Sequence, residues 1–599
     1  MIEATFESSQ ETPRTPSLMQ AEITDVAHPH ITSSRFFDTR YKVVYALIFL
    51  LASYLALVRL DNTAFWDDEA HISIMARNFL HTGTWTGWDG RNLLGYGNGS
   101  VLEPNLRHII PQLDAPVIAT AFGLFGETTW AGRFLFVVAG LLSLALFAAL
   151  LRREFAQQRA LQIFAFASLA FSVHFLMAIR SCRYYAIAIL FALLVFGTYR
   201  RCLQQKRVLD FVLLGLWAIL LFLSSCLVAA AFLGALVVVH LVFHRRDWRA
   251  RDWSKAALAI AVFLCGAVPY AVINRIWDFP IPNTQPWYER KMWLLVSNVS
   301  GLNWVGLPWV VALGVVFFVL PRPGIFGKKE DEETSTREQA SVVFTVREWG
   351  MLVLGYAFFI AMLSPLEINQ PNDDALRYLY PVLPWMAGLC GAFLWFVRQH
   401  MKLLAPALFL VIIGSNLLSL SPRSAVPRFL LTDYIAEVHQ PYPTAYGEVV
   451  KFLRRHAQHD DSVYVVPQHM NYPLMFYVGD HVRFAGQINR KTHLSLDTIR
   501  ALPAPLIFEE NFPDWFVSFG TWPGTPRTLR FFSRPHTQSG KRIAYSYRLF
   551  TTLDVFYEQT HRPEIPWHSF GSHRNFDRTR NAVYIYRRSA PRVLNASAR

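Results

Sequence analysis

From about residue 41 to residue 420 the chain reads as long apolar runs broken by short polar ones; after residue 421 the runs shorten and mix. The first run, YKVVYALIFLLASYLALV, is long enough to span a bilayer and reads as an uncleaved first helix. Ten more follow, at about 130–151, 161–179, 184–199, 208–225, 227–243, 256–273, 303–320, 348–364, 379–397 and 403–420. The pattern predicts a polytopic α-helical membrane protein with about eleven transmembrane helices. Beyond residue 421, SVYVVPQ and NAVYIYRR have the β-branched and aromatic character of strands, and EVVKFLRRHAQ has helical spacing. They predict a soluble α/β or α+β domain over 421–599. Residues 1–40 carry no apolar run, are rich in Ser, Thr, Pro and acids, and read as disordered.

Charge orients the spans. Arg152, Arg153 and Arg159 fall in one loop, Arg200, Arg201, Lys206 and Arg207 in the next but one, and Arg245, Arg246, Arg249, Arg251 and Lys255 two further on. Arg322, Lys328, Lys329, Arg337 and Arg347 continue the alternation, which ends at Arg398 and Lys402. Basic loops stay on the cytoplasmic side. The N-terminus is therefore expected inside, and the C-terminal domain outside the inner (plasma) membrane. Two long loops face outward, about 60–129 and about 274–302, with short charged turns at 180–183 and 365–378.

Composition refines this only slightly. The formal net charge of +14 comes largely from the alternate loops, so it marks topology and gives no basic face for nucleic acid. The five cysteines, Cys182, Cys202, Cys226, Cys265 and Cys390, lie in or beside apolar runs without a CxxC. They read as small buried hydrophobes, with neither a disulfide framework nor a zinc knuckle.

Candidate chemistry begins just past the first span, in FWDDEAHISIMARNFLHTGTW. A helix is expected from Ala70 to Leu80, with Ile72, Met75, Ala76 and Phe79 on one face. Asp67, Asp68 and Glu69 would sit at its N-terminus, where the helix dipole favours acids. On local grounds capping and catalysis are equal readings.

The order of the motifs separates them. An acidic pair after the first span, an amphipathic helix and a Gly-x-Trp are followed by LDAPVIATAFGLFGETTWAGRFLF, with Pro116, Phe125, Gly126 and Arg133. AIRSCRYYAIAIL and ALRYLYPVLPWMAG then lie at external turns. Together these resemble the GT-C glycosyltransferases that use polyprenyl-phosphate sugars, most closely the protein O-mannosyltransferases and lipid A aminoarabinose transferases (family 39-like). The resemblance covers about residues 41–420, which would form a GT-C catalytic domain, with the C-terminal domain roofing an external cavity.

That resemblance implies transfer of a sugar from a polyprenyl-phosphate donor to an acceptor hydroxyl, usually with inversion. The family's base is the first acid of the Asp-Glu pair, which places the role on Asp68 with Glu69 beside it; Asp67, an extra acid, stays open as an alternative base. The leaving lipid phosphate calls for cations, and arginine's planar fork suits phosphate. Arg180, Arg183 and Arg377 are the donor-phosphate candidates, with Tyr184 and Tyr378, and with Arg290 and Lys291 behind them. No cofactor is required. Some relatives bind a divalent metal, but His71, Glu103 and His108 form no compact ligand motif and read as surface groups. Glu564, His561 and His568, in 557–570, read as part of a packed loop. The acceptor, whether lipid, glycan or protein, is not readable.

Two other classes compete. A transporter or flippase of lipid-linked sugars would carry charges at mid-membrane and internal repeats; here the charges cluster at external helix ends and no repeat is visible. A non-catalytic glycan-binding membrane protein would need the acids only as caps, and the intact Asp68-Glu69 pair argues against it.

Overall fold

The computed structural model describes residues 32–94, 113–274, 286–304, 333–365, 373–418, 429–439, 444–484, 512–520, 525–538, 541–555 and 582–593. Two compact units divide the chain at Val44 and Tyr45. Of the first, the described part is the start of helix α1 (Thr32–Leu57).

In the second unit the chain continues through α2 (Asp67–Thr82), α3 (Asp114–Phe125), α4 (Thr129–Glu154), α5 (Arg159–Ala170), α6 (Val173–Ile179) and α7 (Tyr185–Gln205). Among the described residues, six helices are long and apolar enough to cross a membrane: Thr129–Glu154, Tyr185–Gln205, Cys226–His244, Ala250–Ile273, Val342–Leu363 and Arg377–His400. The pair α5 and α6, bent by 54°, makes a seventh when taken as one span. Three further expected spans fall on shorter apolar helices, Tyr41–Leu57, Val208–Ser224 and Leu404–Gly414. The one at 303–320 lies almost wholly outside the described residues.

Close approach of the helices relies on glycine. A Cβ on Gly391 would come within 2.6 Å of the Ala165 backbone nitrogen, so α5 meets the helix Leu383–His400 nearly backbone to backbone. Small residues at such crossings let van der Waals packing replace the hydrophobic drive that lipid removes.

Two charge and burial details depart from expectation. Arg200 is not a loop residue: α7 runs on to Gln205, and Arg200 is buried in ion pairs with Glu154 and Glu348. Glu348 also meets His244. Acids placed against the basic end offset part of the cost of burying that arginine. Among the cysteines, Cys182, Cys202 and Cys390 are buried as expected, Cys226 is half-buried, and Cys265 is exposed on the helix Ala250–Ile273.

Beyond residue 429 helices alternate with strands: helices Leu430–His439, Ala445–His456, Asn471–Val478 and Thr525–Phe532, with β1 (Ser462–Val466), β2 (Arg483–Phe484), β3 (Trp515–Phe519), β4 (His536–Gln538), β5 (Lys541–Ala544), β6 (Tyr547–Asp554), β7 (Ala582–Arg588) and β8 (Arg592–Val593). The main sheet runs β2-β1-β3-β7-β6; β4, β5 and β8 form a second, small sheet. β1 is parallel to β2 and β3, with Val463 opposite Phe484 and Trp515. β7 is antiparallel to β3 and β6. The expected strands SVYVV and AVYIYRR are β1 and β7, and the helix Ala445–His456 is capped by Thr444, whose Oγ1 accepts from the Gly447 amide at 3.1 Å.

The helical part and this sheet share one apolar core. Phe65, Met75 and Phe122 belong to the same buried cluster as Phe476 and Val517. The helix Asn471–Val478 is the join. Tyr477 Oη accepts from the Phe65 amide at 2.8 Å, and Arg77 donates to the Phe476 carbonyl at 2.9 Å.

Candidate active site

The α2 helix starts at the acids themselves. Asp67, Asp68 and Glu69 occupy its first turn, three residues earlier than the spacing suggested. Glu69 Oε2 reaches back to accept from the Trp66 amide at 3.3 Å, which satisfies one of the amides a helix start leaves unpaired. Gly83, with φ +72°, ends the helix in the left-handed conformation that glycine favours. Ile72, Met75 and Ala76 are buried, as their spacing predicted.

Three consecutive acids meet three different environments. Glu69 is fully buried. Arg133 at the start of α4 grips it at two points, and the Cys182 amide donates to Glu69 Oε1 at 2.9 Å. The remaining nitrogens of Arg133 donate to the Leu60, Thr63 and Ala64 carbonyls, so this arginine ties α4 to the chain entering α2.

Asp68 points the other way and is about a third exposed, at 31% of its side chain. Its Oδ2 lies 3.0 Å from Arg183 Nη2 and 3.4 Å from Arg377 Nη1. These arginines come from the turn after α6 and from the segment before the helix Leu383–His400. Burial alone disfavours charge on Arg183, and the neighbouring Asp68 outweighs it, so the guanidinium stays protonated. Arg183 also lies over the Tyr184 ring, and Arg377 over the Tyr378 ring at 5.2 Å. The Tyr184 hydroxyl and Arg183 Nε are buried without a hydrogen bond. Tyr184 and Tyr378 stack at 6.5 Å.

Asp67 is mostly buried, and its Oδ2 lies 3.8 Å from His469 Nε2, contributed by the turn after β1. His71, one helical turn on, packs its ring 5.4 Å from Tyr472. Burial pushes the His71 imidazole down to about 4.

Among the expected phosphate groups, Arg183, Tyr184, Arg377 and Tyr378 converge on the Asp68 side. Arg180 does not share their geometry. Its guanidinium donates to the Leu55, Ala56, Val58 and Arg59 carbonyls, closing the C-terminal end of α1. Lys291 donates to the Ser364 carbonyl at 2.7 Å, with Arg290 buried beside it on the helix Trp287–Trp304. His71 is buried, a correction to its reading as a surface histidine. Glu103, His108, Glu564, His561 and His568 lie outside the described residues. Among the described residues no group of three or more His, Cys, Asp or Glu side chains is placed to hold a metal ion.

Two groups at the site gave no signal in the sequence. Asp114, at the start of α3, is wholly buried with both carboxylate oxygens unbonded; burial raises it well above the ordinary carboxylate range, against the pull of Arg183 and the Tyr184 amide. His469 lies 401 positions along the chain from Asp68 and belongs to none of the motif segments. A cleft of about 60 Å³ also opens behind Glu69, lined by Asn62, Thr63, Trp66, Ser181, Tyr434 and Glu437.

Residues 111–272 match the family model described as dolichyl-phosphate-mannose-protein mannosyltransferase. The chain is similar to GT-C glycosyltransferases of the protein mannosyltransferase and ArnT kind. The match takes in Asp114, Arg133, Arg180 and Arg183, and leaves Asp67–Glu69 and Arg377 outside it. No curated protein matches the chain in sequence. Solved structures similar to it include ArnT from Cupriavidus metallidurans bound to undecaprenyl phosphate, at 15% identity and TM-score 0.49, covering 84% of this chain and 97% of that one. The archaeal oligosaccharyltransferase AglB from Archaeoglobus fulgidus, in complex with an inhibitory peptide and a dolichol-phosphate, aligns at 12% identity and TM-score 0.40, over 81% of this chain and 70% of that one. The arabinofuranosyltransferase AftD from Mycobacteria aligns at 13% identity and TM-score 0.36, over 92% and 41%.

Proposed function

We propose that the chain is a membrane glycosyltransferase that moves a sugar from a polyprenyl-phosphate donor to an acceptor hydroxyl on the external face, with inversion and with Asp68 as general base. The observation that carries this reading is Asp68 Oδ2 lying within 3.4 Å of two guanidiniums from different segments, Arg183 and Arg377. A carboxylate and two arginines facing one opening are the parts that abstraction of a proton beside a departing phosphate requires.

The steps follow from those parts. The donor phosphate draws Arg183 and Arg377 toward itself, since an arginine fork pairs well with phosphate oxygens. Asp68 is thereby released from its counter-charges and becomes a better base. The acceptor oxygen attacks the anomeric carbon, the bond from that carbon to the phosphate oxygen breaks, and the proton passes to Asp68. The guanidiniums hold the charge left on the polyprenyl phosphate, and Tyr184, with its hydroxyl unbonded, is placed to add a hydrogen bond.

Topology belongs to the same proposal: a cytoplasmic N-terminus (1–40), a catalytic membrane domain (41–420) with eleven spans, and an external or periplasmic domain (421–599). The alternation of basic loops supports it.

The test is transfer of radiolabelled sugar from a panel of polyprenyl-phosphate sugars by membranes holding wild type or Asp68→Asn. Loss of the base should cost on the order of 10²–10⁴-fold. Unchanged transfer in the variant would remove Asp68 as base and turn attention to Asp67. Absence of transfer by wild type with every donor would count against the enzyme.

A further inference from the structure

The C-terminal sheet has a feature that the transfer reading does not use. Its parallel strands run in the spatial order β2-β1-β3. From β1 the chain crosses to β2 on one side through the helix Asn471–Val478, and later returns to β3 on the other. The order therefore reverses at the carboxyl ends of β1 and β3. In open sheets with parallel strands, that is where a crevice forms and ligands bind.

The same end faces the acid turn. After β1 the chain makes a single turn, Gln468–Met470, and enters the helix Asn471–Val478, which packs on α2. His469 from that turn lies 3.8 Å from Asp67, and its side chain keeps 34% of its surface accessible. Met470 beside it is buried and anchored by the Tyr446 hydroxyl, which donates to its sulfur at 2.6 Å. Tyr472 braces His71. At the end of β3, Gly520 with φ +69° turns the chain away. The imidazole is thus fixed from below and open above, between the switch point and the acids.

We propose that the acceptor reaches the acid turn across the carboxyl ends of β1 and β3, and that His469 is the positioning residue that orients Asp67 toward it. This rests on the transferase reading. It divides the turn by side: Asp68 with Arg183 and Arg377 faces the donor phosphate, and Asp67 with His469 faces the acceptor. The acceptor is a hydroxyl-bearing group bound by polar contact, since an accessible imidazole beside a carboxylate offers both a donor and an acceptor of hydrogen bonds.

Two measurements on the full-length protein in membranes test it. The first needs no sugar transfer. Diethylpyrocarbonate modifies only the neutral imidazole, and a nearby carboxylate favours the charged form. Peptide mass spectrometry should find His469 modified about three- to tenfold faster at pH 6.5 in Asp67→Asn than in wild type. Equal rates would overturn the pairing. The second is steady-state transfer by His469→Gln and His469→Asn. The acceptor KM should rise about tenfold while the donor KM holds and kcat changes less than threefold. A rise in donor KM, or wild-type kinetics in both variants, would overturn the acceptor-side assignment. A variant that merely misfolds would lose protein and kcat together, which these parameters separate. If His469 responds to Asp67→Asn but wild type transfers no sugar, the transferase reading falls and the contact stands.

Discussion

Arg133 holds Glu69 through two parallel contacts, Nε to Oε1 at 3.1 Å and Nη2 to Oε2 at 2.6 Å, with both side chains buried. The same guanidinium also fixes the carbonyls of the segment that leads into α2. Glu69 is therefore a strut for the acid turn, and its neighbour Asp68 is left free to do chemistry. Removing one partner strands a buried charge, which costs about 3–5 kcal/mol. Arg133→Met should lower the thermal midpoint of the detergent-solubilised protein markedly. Glu69→Gln keeps shape and some hydrogen bonds and should cost less. A midpoint for Arg133→Met within a degree of wild type would contradict the strut role.

Arg183 and Arg377 both point at Asp68, but they are not interchangeable with lysine. A lysine keeps the charge and loses the planar fork that pairs with two phosphate oxygens. Arg183→Lys and Arg377→Lys should each raise the donor KM about tenfold, roughly 1.4 kcal/mol of binding, with the acceptor KM unchanged. Arg180→Lys should behave differently, because its guanidinium closes the end of α1. It should destabilise the protein and leave the donor KM near wild type. Steady-state kinetics on the three variants, with melting curves beside them, separates phosphate binding from capping.

Several of these distinctions are invisible in the sequence, for reasons that particular residues make plain. Hydropathy and spacing suffice for the membrane helices and for α2, because lipid and a buried stripe each impose a local period. They also suffice to put Asp68, Arg183 and Arg377 on one face, since all three flank spans on the same side. They do not separate Arg180 from Arg183, three residues apart, because that depends on which carbonyls α1 leaves open. Arg200 looks like a topology marker until Glu154 and Glu348 are brought beside it. His469 carries no local signal at all, since its meaning comes from a strand order that no short window encodes.

His71 makes stability depend on pH in a definite direction. Burial pushes its imidazole down to about 4 in the folded protein, against about 6.5 in an unfolded chain. Between those values the unfolded state binds more protons, so stability rises with pH across that window and is lost as pH falls through it. The full effect is on the order of 3 kcal/mol. His71→Gln should flatten the slope of chemical-denaturation stability between pH 4 and 6.5 and change little above pH 7. The same slope in both proteins would mean that His71 titrates normally and is more accessible than the fold implies.

Glycine at a helix crossing should be far less replaceable than glycine facing open space. A Cβ on Gly391 would press on the backbone of Ala165 in α5, with Ala165 N and Cα at 2.6 and 2.8 Å. Backbone cannot rotate away as a side chain can, so Gly391→Ala must push two helices apart. Gly197 in α7 has nothing within 4 Å of an added Cβ. There alanine gains helix propensity, about 1 kcal/mol, and removes no contact. The two substitutions are chemically identical, so their difference isolates packing. Gly391→Ala should lower the thermal midpoint and reduce the yield of monodisperse protein, whereas Gly197→Ala should hold or raise both. The helix Leu383–His400 follows directly on Arg377, so a shift at Gly391 should also move that guanidinium away from Asp68. Transfer by Gly391→Ala should then fall more than its folded fraction does. A variant losing activity only in proportion to its yield would show that Arg377 is positioned by its own segment, Asp373–Val382, and not by the helix that follows.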